Sequence, residues 1–200
     1  MTEIEERINF RTELLDDARD DEGFITQSGL LSQVMPSMLD AKLVDSEDYN
    51  ESYLDDKHEN LKLNAYSVNG SGERLQLFIV DENTIDETSK DDELLISQKT
   101  EYESQFKRVD RIIKKAFNGK LFNSIQDSDK AKVLASKLES VEGFKEIDVI
   151  EIFLISLTVT YSNQGKTPQP RNIYFKEEKI NRLYKSEEID STKEILVIKK

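Results

Sequence analysis

Apolar residues recur at helical intervals from Thr2 to Arg19, where Ile4, Ile8, Leu15 and Ala18 stand among acids and arginines. That spacing predicts a surface helix with one buried stripe, closed by Asp20, Asp21 and Gly23. A second helix is expected from about Thr26, with Leu30, Leu31, Val34, Met35, Met38 and Leu39 turned inward and Thr26 or Ser28 as N-cap. Pro36 lies inside that pattern and should kink or split it.

The period then changes to two. Leu61, Leu63 and Ala65 alternate with Lys62, Asn64 and Tyr66, and Asn69-Gly70-Ser71-Gly72 supplies the residues a tight connection demands. Leu75 to Val80 is apolar at every position except Gln76. The first run therefore predicts a half-exposed strand, and the second a strand buried on both faces inside a helix-covered sheet. Asp81 to Asp92 is polar and reads as a loop.

Glu101 to Phe117 is the clearest helix: Tyr102, Phe106, Val109, Ile112, Ile113, Ala116 and Phe117 form its apolar stripe, and Asn118-Gly119 ends it. Asp127 or Ser128 can cap a further helix through Val141, with Ala131, Leu134, Ala135 and Leu138 on one side. Ile150 to Val159 is rich in β-branched residues and is expected as a central strand. Ser162 to Pro170 reads as a loop, Ile173 to Phe175 as a short strand, Glu177 to Ser186 as a short helix, and Glu194 to Ile198 as a last strand. Together these elements predict one α/β domain over residues 1–200, a mixed central sheet with helices packed on it and parallel pairing across the helical connections.

Composition narrows the chemistry. The 200 residues carry a net charge of −13, so the average surface repels phosphate and nucleic acid could bind only at a local basic patch or through a metal. The absence of cysteine excludes disulfides, thiolate zinc sites and cysteine nucleophiles. The acidic start MTEIEERINF is no signal peptide, and the longest apolar run, Ile147 to Tyr161, is too short and polar to span a bilayer. A cytoplasmic, non-membrane protein is expected.

Three stretches invite a functional reading. Asp45 to Asn60 holds seven acidic residues and the only histidine, His58, but lacks the spacing of a calcium loop and reads as a solvated acidic loop. Lys107, Arg108, Arg111, Lys114 and Lys115 concentrate positive charge on one helix, either as a contact for nucleic acid or an acidic partner or as a solvated face balanced by nearby acids. Asn69 to Gly72 leads into a strand, so it offers no phosphate-binding helix start, and one histidine leaves little room for a triad.

In order and texture the chain resembles the N-terminal region of the abortive infection phage resistance proteins, the AIPR family. The resemblance is carried by the early acidic helix, LKLNAYSVNGSGERLQLFIVDEN, IEIFLISLTVT and NIYFKEEKINRLYKSEEI. It implies a restriction-endonuclease-like (PD-(D/E)XK-like) fold and a place as the N-terminal domain of a longer protein. Active members of that fold carry an acid on one hairpin strand and Gln/Glu-x-Lys on the next, so that carboxylates hold a divalent ion and lysine steadies charge. Here the acidic position falls near Asn64 and the second at Ile79-Val80-Asp81, where isoleucine cannot ligate magnesium and aspartate reverses the lysine's charge. The resemblance thus implies a phage-defence domain without catalysis or cofactor, acting in interaction or scaffolding with a protein or the C-terminal remainder of its own chain. Two alternatives stay open: a divergent magnesium-dependent nuclease built on Asp81 and Glu82, or a binding module using the basic helix face over 107–115.

Overall fold

The computed structural model describes residues 3–81, 99–157, 173–179 and 194–196. Two helices come first, α1 (Glu3–Asp17) and α2 (Gln27–Asp40), then a meander of three strands, β1 (Asn50–Asp56), β2 (Leu61–Val68) and β3 (Arg74–Val80). Helices α3 (Lys99–Phe117) and α4 (Ala131–Leu138) lead to β4 (Val149–Ile155), followed by β5 (Ile173–Lys179) and β6 (Glu194–Leu196). The six strands form one sheet in chain order. β3 and β4 are parallel, in register from Arg74 opposite Val149 to Val80 opposite Ile155, and the other pairs are antiparallel.

Helices cover both faces. On one, Leu75, Leu77, Ile79, Ile150, Ile152 and Leu154 meet Phe106, Val109, Ile112 and Ile113 of α3 and Leu134 and Leu138 of α4. On the other, Phe78, Val80, Phe153 and Ile155 meet Leu30, Leu31, Val34, Met35 and Met38 of α2. The rings of Phe78 and Phe153 stack at 5.4 Å between neighbouring strands. From Leu75 to Val80, β3 is apolar but for Gln76 because both its faces are roofed, the condition under which strict alternation disappears.

Several expectations are corrected. Residues 50–56 are a strand and not part of a solvated acidic loop: only Ser52 and Leu54 turn inward, so the edge strand β1 carries too few apolar residues to show a period. β2 is not half exposed, since Leu61, Lys62, Leu63, Ala65 and Tyr66 are all buried. Residues 177–179 belong to β5 and not to a helix, paired with Glu151, Ile150 and Val149 of β4. Helix α2 is not split at Pro36, whose exposed position leaves the packed stripe of Leu31, Val34, Met35 and Met38 intact. Thr26 is its N-cap, accepting from the Gly29 N–H at 2.9 Å. The N-cap position of α4 is Lys130, without a side-chain cap bond, and not Asp127 or Ser128; just before it Asp129 accepts from the N–H of Ala131 at 2.8 Å and that of Tyr53 at 3.1 Å, tying the helix start to edge strand β1. The readings for Glu82 to Asp92, Thr158 to Pro170, 180–186 and 197–198 lie outside the described residues.

Candidate functional site at the hairpin

Strand β2 changes face in its middle. Leu61 and Leu63 belong to the core under α3 and α4, whereas Ala65, two residues on, belongs to the core under α2. Residues two apart in a regular strand share a face, so the alternation is broken between Leu63 and Ala65. The ladder to β3 runs from Val68 opposite Leu75 to Ala65 opposite Phe78 and stops there. Beyond it the two strands are joined by side chains.

Val80 is where they join. Its N–H donates to Asn64 Oδ1 at 2.8 Å and its carbonyl accepts from Lys62 Nζ at 2.9 Å. Buried peptide groups must be paired, and two β2 side chains supply what the interrupted ladder does not. Asn64 also donates through Nδ2 to Gln27 Oε1 in the first turn of α2. Lys62 is 1% exposed, its stem packed in the core and its ammonium satisfied by a carbonyl.

Asp81 lies on the opposite face. Ile79 packs beneath α3 and Val80 beneath α2, so alternation turns Asp81 toward α3. Its N–H extends the parallel ladder by donating to Ile155 O at 2.9 Å, and its Oδ2 accepts from Ser156 Oγ at 3.0 Å. It is buried, not the solvated start of a loop. Asn64 and the Ile79-Val80-Asp81 tripeptide therefore do not converge. Facing α2 beside Asn64, β3 presents Phe78 and Val80, both 0% exposed. Glu82 lies outside the described residues. Among the described residues no three acidic or histidine side chains come together as a metal site.

A cleft of about 310 Å³ opens between the first turn of α2, β1 and the start of β2. Ser28, Glu51, Tyr53, Asp55, Lys62 and Asn64 are among its walls. Its carboxylates are committed: Glu51 accepts from Ser28 Oγ and from Tyr53 Oη, and Asp55 pairs with Arg108 at 2.6 Å. The Ser28 hydroxyl, more than any other group, holds the Glu51 carboxyl below the usual glutamate range, and the same carboxylate raises the Tyr53 phenol. His58 sits exposed in the turn between β1 and β2.

The five basic residues over 107–115 of α3 divide in two. Arg108 bonds Asp55 and the carbonyl of Leu61, and Lys115 pairs with Glu59 at 2.8 Å and bonds Ser124 Oγ at 2.9 Å. These two pin the helix to the β1–β2 hairpin. Lys107, Arg111 and Lys114 are exposed and point away from the sheet.

A polar network that residue patterns do not reveal closes the other end of β3 and β4. Glu151, buried opposite Gln76, accepts from Arg74 Nη2 at 2.6 Å, from Arg74 Nε and from Gln76 Nε2 at 2.7 Å. Arg74 also pairs with Asp45 at 3.1 Å, and Gln76 donates to the carbonyl of Leu43 at 3.0 Å. The carboxylates, Glu151 foremost, raise the Arg74 pKa. The traces in the sequence are one glutamine and one glutamate, each inside an apolar run.

No helix among the described residues is long and apolar enough to cross a membrane. A family model described as the abortive infection phage resistance protein N-terminal domain matches residues 31–185. No curated protein and no solved structure matches the chain.

Proposed function

The chain belongs to the abortive infection phage resistance protein N-terminal domain family, and on that premise we propose that it is a restriction-endonuclease-like domain that has exchanged metal-dependent cleavage for interaction or scaffolding in phage defence. A mixed sheet with a parallel β3–β4 pair and helices on both faces supports the fold. One observation carries the loss of chemistry. Where a nuclease needs an acid and a lysine side by side at strand ends, the α2 face of β3 carries Phe78 and Val80, while Lys62 and Asn64 are spent on the backbone carbonyl and N–H of Val80. Apolar side chains cannot hold a divalent ion or polarise a phosphate, and a lysine bonded to a buried carbonyl is removed from that task. Asp81, on the other face and bonded to Ser156, cannot replace the missing acid beside Asn64.

Incubating the purified 200-residue chain with single-stranded and duplex DNA and RNA, in magnesium and in manganese, tests this. Intact substrates are expected. Cleavage that disappears in Asp81→Ala, with folding retained, would restore the divergent-nuclease reading.

A further inference from the structure

We propose that the outward stripe of α3, Lys107, Arg111 and Lys114, is a contact surface for the phosphate backbone of a nucleic acid. The assignment rests on reading the chain as a binding domain and names the chemistry of its partner. Positions 107, 111 and 114 follow one another at helical spacing, so the three cations lie along one line of the surface. Seven residues of helix cover about 10 Å. All three are exposed, and none forms an ion pair among the described residues, whereas their neighbours Arg108 and Lys115 are held by Asp55 and Glu59. The internal pairs thus consume the two cations that face the hairpin and leave the outward row to solvent.

The setting reinforces the stripe. Residues 107–145 contain ten basic and five acidic residues in a chain whose net charge is −13, so positive charge is gathered on the α3–α4 side of the sheet. Lys120 is exposed just beyond the helix end. Phe117, one turn past Lys114, keeps 45% of its surface exposed while it packs edge-to-face with Phe144, ring centroids 5.8 Å apart. A row of evenly spaced cations ending at an exposed ring matches a repeating phosphate chain that carries stackable bases better than the irregular charge of an acidic protein. Contacts of this kind give affinity and position without reading sequence.

Fluorescence anisotropy with the full chain and a labelled single-stranded oligonucleotide, in EDTA so that no metal-dependent cleavage can intervene, tests the assignment separately from the catalytic question. Binding is expected at about 50 mM salt, falling with a log–log slope of about −2 for three phosphate contacts. Joint replacement of Lys107, Arg111 and Lys114 by Glu should weaken it at least tenfold, replacement of the three by Gln should weaken it less, and Lys57→Glu, on the exposed hairpin turn, should leave it unchanged. Circular dichroism establishes that the variants are folded. No binding by the native chain at low salt, equal binding by the Glu variant, or displacement by polyglutamate as effective as by unlabelled oligonucleotide would each overturn the proposal, the last in favour of an acidic protein partner.

Discussion

Lys62 donates from its ammonium to the carbonyl of Val80 at 2.9 Å while remaining 1% exposed, so a charged side chain closes the gap where the β2–β3 ladder ends. Lys62→Met keeps most of the stem but leaves that buried carbonyl without its donor. A loss of about 1–3 kcal/mol is expected, read as a lower urea midpoint at unchanged slope. An unchanged midpoint would mean that the bond carries no net stability.

Asn64 accepts from the N–H of the same residue, Val80, so the two side chains should not act independently. Asn64→Ala is expected to cost about 1–3 kcal/mol, and the double variant with Lys62→Met less than the sum, because both side chains hold the backbone of one residue, Val80. Strict additivity in a double-mutant cycle would contradict a common role.

The Glu151 cluster gives a larger effect. Glu151→Leu removes the acceptor of Arg74 and Gln76 inside the sheet. Breaking one side of a buried pair costs about 3–5 kcal/mol, and the lower end is expected here because the Arg74 side chain keeps 28% exposure. Adding Arg74→Met should recover part of the loss, since an apolar pair of similar volume leaves no buried charge unpaired.

At Glu51 the test is acid titration. Its carboxyl sits below the usual range, chiefly through Ser28. A depressed carboxyl contributes stability above its unfolded pKa, about 4.3, and that contribution is lost as pH falls through the folded value. Ser28→Ala should therefore move the Glu51 titration upward in NMR and flatten the acid limb of the stability profile. An unmoved titration would assign the depression to another group.

How far these features can be read from residues alone differs by element. The hairpin, α3 and β4 announce themselves because burial on one or both faces imposes a period or an apolar run. β1 does not, since an edge strand with two inward residues looks like an acidic loop. Lys62 is the instructive case: alternation assigns it to solvent, yet the break near Asn64 leaves Val80 with peptide groups that a lysine amine and an asparagine amide can reach. The same break separates Asn64 from Asp81, which lie near each other in any linear alignment of the hairpin and on opposite faces of the sheet. Likewise, five basic residues on one helix look equivalent until Asp55 and Glu59, about fifty residues earlier in the chain, claim two of them.

The proposal that the hairpin holds no metal can be checked by titrating manganese into the isotopically labelled chain and following the amide signals of Asn64, Val80 and Asp81 by NMR. A bound paramagnetic ion at the hairpin would broaden those three signals before others. All three are expected to keep their intensity at manganese concentrations that support metal-dependent nucleases; selective broadening there, abolished by Asp81→Ala, would reinstate a metal site at the hairpin.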